Sequence, residues 1–271
     1  MRKGKRLIAW IMAVVMLFTI CVFGGNGTAA ATTPVAKHGR LSVKGADLVD
    51  SKGNKFQLRG ISTHGINWDV GSPYVNKKAF KTLRDDWGVN AIRLAMYTEE
   101  YNGYCSGGSQ AKLRKLVDKG VGYATDLGMY AIIDWHILSD GNPNKNKSQA
   151  KKFFTTMAKK YKNNKNVIYE ICNEPNGCSW KEIKSYATDI IKTIRKYDKK
   201  AVIIVGTPTW SQLGTDGTSN EVADSPIKGY KNIMYSLHFY ASEWAHNEYL
   251  PAKVAYARKK KLPIIVSEFG L

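Results

Sequence analysis

Residues 166–177 read NVIYEICNEPNG. The run opens on apolar and β-branched residues, predicts a β-strand, and ends on a polar Asn-Glu-Pro cluster. Side chains alternate faces along a strand, which places Glu170, Cys172 and Glu174 on one side. The same design recurs along the chain. Short apolar runs end in STHGINW (62–68), RLAMY (93–97), DWHILSD (134–140), GTPTW (206–210), HFY (238–240) and SEFG (267–270). Between them lie amphipathic segments, including VNKKAFKTLRDDWG (75–88), SQAKLRKLVDKGVGYATDLG (109–128) and SWKEIKSYATDIIKTIRKYD (179–198). Strands that alternate with helices predict a parallel sheet with helical crossovers. No Gly-rich phosphate loop follows the first strand, which argues against a dinucleotide fold. Polar clusters at the C-terminal ends of many strands are the arrangement of a (β/α)8 TIM barrel, an α/β fold.

Before the first of these strands, residues 41–58 (LSVKGADLVDSKGNKFQL) read as an N-terminal β-hairpin with its turn at residues 51–54, followed by a strand over 56–62. Seven strands follow the hairpin, and LPIIVSEFG (262–270) is the last. A closed barrel of this type needs eight. The expectation is a barrel that lacks the eighth strand and the last helices, within a longer gene product.

The chain has 271 residues and a formal net charge of +19. It opens on basic MRKGKR, continues through an uncharged apolar run over residues 7–23, and reaches small residues in GTAAAT (27–32). This pattern predicts a secretory signal peptide over residues 1–31 and a secreted, extracellular catalytic barrel over 32–271. Loss of Arg2, Lys3, Lys5 and Arg6 lowers the charge to about +15. The remaining lysines fall mostly within helical patterns and read as solvated outer faces, not as a nucleic-acid site. Beyond the leader, Cys105, Cys172 and Cys178 leave two readings open, a Cys105–Cys178 disulfide or free thiols. CNEPNGC (172–178) has no second Cys or His pair to complete a metal site.

Several ionisable residues fall inside otherwise apolar strands. Asp134 shares a strand face with His136, and Ser236 shares one with His238 and Tyr240; Arg93 sits mid-strand. Buried charge must be paired or must line a cleft. Glu174 and Glu268 stand at strand tips, and two carboxyl groups so placed suit glycosidic bond hydrolysis. Trp68, Trp210 and Trp244 are candidate sugar platforms, because a large flat indole fits the apolar face of a pyranose. Trp87, Trp135 and Trp180 read as packing residues.

Six motifs in register, GISTHGINW, NAIRLAMY, IIDWHILSDGNPN, VIYEICNEPNG, HFY and VSEFG, resemble those of glycoside hydrolase family 5, in particular its bacterial endo-β-1,4-glucanases. The resemblance implies that Glu174 is the acid/base and Glu268 the nucleophile of a retaining double displacement. It further implies that Asn173 meets the sugar 2-hydroxyl and that Tyr240 donates to Glu268. Arg93 would keep Glu268 ionised, His238 would lie beside Glu174, and His64 and His136 would line the glycone side. A β-glucan substrate, no metal or cofactor, and a monomer free of the membrane are expected. Mixed-linkage glucan, mannan and xyloglucan are the alternatives within the family. A metal-dependent hydrolase using His136 and His238, and a non-catalytic carbohydrate-binding or inactive barrel fragment, are the alternatives outside it.

Overall fold

A computed structural model describes residues 32–271; the expected signal peptide lies outside the described residues. A short helix α1 (Pro34–His38) precedes a two-stranded antiparallel ribbon, β1 (Ser42–Lys44) and β2 (Asp47–Val49). Seven parallel strands follow, in sheet order equal to chain order. They are β3 (Gly60–Ser62), β4 (Ala91–Tyr97), β5 (Tyr130–His136), β6 (Val167–Glu170), β7 (Ile203–Val205), β8 (Ile233–Tyr240) and β9 (Ile264–Gly270). The longer crossovers carry α2 (Lys77–Trp87), α3 (Gln110–Asp126), α4 (Lys147–Tyr161) and α5 (Trp180–Arg195). Two four-residue helices, α6 (Pro208–Ser211) and α7 (Glu221–Asp224), lie between β7 and β8, and α8 (Trp244–Lys259) leads into β9. Among the described residues, no helix is long and apolar enough to cross a membrane.

Local chemistry explains the helix ends. Asn76 caps α2 by accepting from the Ala79 N–H, and Gly88 ends it in the left-handed conformation, with φ 68°. Ser179 and Glu182 form a reciprocal capping box at the start of α5.

The period-two alternation of the strands builds two separate cores. Ile92, Leu94, Ile133, Trp135, Tyr169, Val205 and Leu237 point outward, into the layer held by Phe153, Phe154 and Met157 of α4 and by Ile183, Ile190 and Ile194 of α5. Their neighbours Ala91, Tyr130, Ile132, Ile168, Val202, Ile204 and Met234 point inward. Leu41 and Leu48 join this inner cluster, so the ribbon plugs the N-terminal end of the sheet. One step further along each strand, the inward positions become Arg93, Asp134, Glu170, Ser236 and His238, all buried. The interior is apolar below and charged above, and the charged tier lies at the C-terminal strand ends.

Several expectations need correction. The hairpin turns at Gly45, and residues 51–54 form a second turn, in which Asp50 Oδ1 accepts from the Lys52 and Asn54 N–H groups. The strand expected over 56–62 shrinks to three residues, because the Asn90 side chain takes over its ladder, accepting from Arg59 N–H and donating to Gln57 O. Beyond β6 the alternation fails, and Cys172 joins the outer core instead of the face of Glu170. Trp87 is 72% exposed at the end of α2, where it lines an apolar groove of ≈ 660 Å³ with Ile61, Phe80 and Leu83. Among the described residues, no strand pairs with the outer edge of β3 or of β9. Cys105, Cys172 and Cys178 are free thiols.

Phe153 is fully buried against the rings of Tyr104, Trp135 and Phe154, at centroid distances of 5.4, 5.2 and 5.2 Å. Phe153→Ala should therefore cost about 3–5 kcal/mol of unfolding free energy. Ser179→Ala, which removes only the cap of α5, should cost about 1 kcal/mol. Urea titrations with an unchanged m-value would check both.

Candidate active site

Arg93 organises the upper tier. Its Nε donates to Glu170 Oε2 at 2.7 Å, and one terminal nitrogen donates to Glu268 Oε2 at 3.1 Å and to Ser62 Oγ at 3.2 Å. The other donates to Asn173 Oδ1 at 2.6 Å and lies 3.1 Å from Asp134 Oδ2. Burial opposes the charge on this guanidinium, but Asp134, Glu170 and Glu268 together outweigh it and hold the group above its ordinary range.

The two strand-tip glutamates have different surroundings. Burial opposes the ionised form of Glu268, yet Arg93 and a hydrogen bond from the Tyr240 hydroxyl hold its carboxyl below the usual value. Burial and Glu268 push the Tyr240 phenol upward, so it remains a donor. Glu174 instead faces an imidazole, with His238 Nδ1 2.8 Å from its Oε1. One oxygen of Glu174, one of Glu268 and one nitrogen of His238 all lie within 4.8 Å of one another. Such a trio has the donor set for a metal ion. However, both His238 nitrogens already have protein partners, Glu174 and Ser267 Oγ, one of which a metal would have to displace.

On the other side of Arg93, Asp134 is pushed up to about 7 by burial against the pull of Arg93. Burial and the nearby guanidinium lower His136 to about 3, which keeps it neutral. Its Nδ1 lies 2.6 Å from Asp134 Oδ2, and its Nε2 lies 3.1 Å from the Asn173 amide nitrogen. With Nδ1 carrying the proton, Nε2 accepts from Asn173. The second N–H of that amide donates to Ile137 O at 3.2 Å. Asn173 is fully buried, so a sugar hydroxyl would reach it only by replacing one of these partners.

An aromatic row leads outward from His136. Tyr97 packs at a tilt against His136 with centroids 4.0 Å apart, Trp68 against Tyr97 at 4.5 Å, and the exposed His64 against Trp68 at 5.2 Å. The Trp68 indole N–H is engaged by Tyr101 O at 2.6 Å, which sets the tilt of the ring. Trp210 sits on the turn after β7, not at the strand end expected. Its φ is 51°, in the left-handed region, and its N–H donates to Pro175 O at 3.1 Å. This strained turn holds the indole 43% exposed beside Glu174. Together they line an open cavity of ≈ 400 Å³ with Gln212, His238, Tyr240, His246 and Tyr249. Trp244 begins α8, is 70% exposed and stands outside that lining, so it is not brought to the carboxylate pair. Burial pushes the Cys105 thiol up to about 12 and the Cys178 thiol to about 11, so neither offers a thiolate nucleophile at neutral pH.

Sequence reasoning overlooked Tyr97, Gln212, His246, Tyr249 and Ser267. Tyr97 had a signal, its place at the end of RLAMY. The others depend on how loops and β9 fold back.

Arg93→Met would leave three carboxyl groups without their cation and should cost about 3–5 kcal/mol of stability, measured by denaturant unfolding. Tyr240→Phe removes a donor to ionised Glu268, so the Glu268 carboxyl should titrate at higher pH than in the parent. Carbon-13 carboxyl NMR reads this directly. The ionised Glu268 stabilises the fold above the usual glutamate range, and that contribution is lost as the pH falls through and below it.

The model of one protein family, cellulase (glycosyl hydrolase family 5), matches residues 49–271. An endoglucanase of Clostridium saccharobutylicum is 49% identical over 271 residues, covering 98% of this chain and 57% of its own length. Endoglucanase A of Butyrivibrio fibrisolvens is 48% identical over 237 residues, covering 86% and 52%. The chain thus spans about half the length of these curated relatives. Among solved structures, Cellulase Cel5C_n superposes with a TM-score of 0.82 at 40% identity, over 88% of this chain and 73% of its own. The catalytic domain of Thermobifida fusca endoglucanase Cel5A in complex with cellotetraose superposes with a TM-score of 0.78 at 40% identity, over 88% and 76%. With a parallel sheet that brings Glu174, just after β6, beside Glu268 of β9, and a family match over most of its length, this chain belongs to the family cellulase (glycosyl hydrolase family 5).

Proposed function

We propose that this chain is a retaining endo-β-1,4-glucanase, with Glu174 as acid/base and Glu268 as nucleophile. The observation that carries the reading is the short separation of the two carboxylates, within 4.8 Å between their nearest oxygens. Retaining enzymes hold the pair about 5–5.5 Å apart, whereas inverting enzymes leave about 6.5–9.5 Å for a water. In the first step, ionised Glu268 attacks the anomeric carbon, the glycosidic C–O bond breaks, and Glu174 gives its proton to the departing oxygen. The glycosyl ester removes the negative charge of Glu268. In the second step, Glu174 takes a proton from water, the water oxygen attacks the anomeric carbon, and Glu268 leaves as a carboxylate.

A β-1,4-glucan substrate is supported by the relatives named endoglucanases and by the cellotetraose bound to the Thermobifida fusca enzyme. The half-exposed Trp210 beside Glu174 supports a sugar platform on that side of the cleft. On the other side, His64, Trp68 and Tyr97 offer a second aromatic wall. The basic, apolar leader supports export of the enzyme before it meets its polymer, and the enzyme acts as a monomer.

Proton NMR of cello-oligosaccharide hydrolysis should show the β-anomer first, and an α-anomer formed first would overturn retention. Glu174→Gln should lower kcat by about 10²–10⁴-fold on cellulose. Glu268→Gln should abolish turnover, and wild-type rates in that variant would sink the mechanism. EDTA should leave the rate unchanged. Reducing-sugar release should be greater from carboxymethylcellulose than from mannan or xyloglucan.

A further inference from the structure

The β8–β9 pairing shifts register between Leu237 and His238: Val266 pairs with Leu237, but Glu268 pairs with His238, and Ser267 is the extra residue. A bulge of this kind re-aims the side chains on either side of it. Here it lets two consecutive residues of β9 face the interior. Glu268 reaches Arg93 and Tyr240, and Ser267 reaches Glu170 and His238.

The partners of Ser267 leave one place for its hydroxyl hydrogen. Glu170 receives Arg93 Nε on Oε2 at 2.7 Å and presents Oε1 to Ser267 Oγ, also at 2.7 Å. A carboxylate against a guanidinium only accepts, so the single hydroxyl hydrogen of Ser267 goes to Glu170. The Ser267 oxygen then has only lone pairs left for its other neighbours, Ser236 Oγ and His238 Nε2, the latter at 2.9 Å. His238 Nε2 must therefore carry a hydrogen. In the neutral imidazole this makes Nδ1, 2.8 Å from Glu174 Oε1, a bare acceptor.

We propose that Ser267 is a positioning residue that fixes the tautomer of His238 and thereby sets where the proton of Glu174 resides. The inference rests on Glu174 being the acid/base. With Nδ1 unprotonated, a hydrogen bond to it forms only while Glu174 keeps its proton, so the acid stays loaded for the first step. Once that proton has gone to the departing oxygen, the Glu174 carboxylate faces a lone pair. That mismatch makes it a stronger base toward the incoming water, and the proton taken from water restores the Glu174–His238 bond. The opposite tautomer, with a hydrogen on Nδ1, would hold Glu174 ionised and weaken it as an acid. The charged groups facing His238 are Glu174 and Glu170 from β6 and its continuation, Glu268 from β9, Asp134 from β5, and the Arg93 cation from β4.

Nitrogen-15 NMR of the imidazoles in the free protein tests the tautomer without reference to catalysis. The expected wild-type spectrum shows a hydrogen of His238 on Nε2 and none on Nδ1; a hydrogen on Nδ1, alone or together with one on Nε2, would overturn the proposal even if no variant folds. Ser267→Ala should transfer population to the Nδ1–H form and move the alkaline limb of the kcat/KM profile about one pH unit lower. Ser267→Thr, which keeps the hydroxyl, should restore both readouts. A Ser267→Ala protein whose tautomer and pH profile match the parent overturns the positioning role, as does one in which the tautomer changes and the profile does not. Wild-type activity in Glu174→Gln would instead refute the acid/base assignment and leave the tautomer result standing.

Discussion

One buried cation holds the upper half of this sheet together. The Arg93 guanidinium has five N–H groups in a fixed plane, and five polar partners lie within 3.2 Å of its nitrogens. They come from β3, β5, β6, the segment after β6, and β9, so a single side chain ties together elements far apart in sequence. Burying such a charge is unfavourable unless every donor is matched. Each of the three carboxylates needs the cation as much as the cation needs them. Lysine could not take this place, because an ammonium offers three donors from one point.

The same cation separates the two glutamates that matter most. Glu174 lies in the segment after β6 and Glu268 within β9, and both lie near His238. Glu268 has Arg93 and a phenol hydroxyl as partners, which favour the ionised form. Glu174 has an imidazole nitrogen as its protein partner, which can hold a proton in common with it. Identical residue types thus take different roles through their neighbours. The aromatic row from His64 to His136 ends on Asp134, so the aromatic surface and the buried charge cluster form one continuous network.

Much of this was legible in the chain. A strict period of two in β4, β5 and β8 already separates outward apolar residues from inward Arg93, Asp134, His136, Ser236 and His238. Seven apolar runs with polar tips, alternating with helical patterns, matched the seven parallel strands observed. The reading failed where the backbone leaves the regular period. After Glu170 the strand ends, and Cys172 turns into the outer core. After Val205 the chain enters a left-handed turn that aims Trp210 at Glu174. Trp87 was read as a packing residue, but it closes the helix beside Gly88 and stays exposed. Trp244 was a candidate sugar platform by its flat indole, yet it begins a helix outside the cavity lining.

The amino-acid sequence by itself determined the alternation of strands and helices, the apolar and charged tiers of the interior, and the two glutamates at strand tips. These follow from residue type and local periodicity, which neighbours in the chain are enough to specify. Only the tertiary structure decided which charges share Arg93, that His238 faces Glu174, and that Ser267 and Glu268 both turn inward at the β9 bulge. Those outcomes depend on contacts between residues separated by as many as 175 positions, such as Arg93 and Glu268. No local pattern encodes such a separation; the curvature of the sheet brings its ends together.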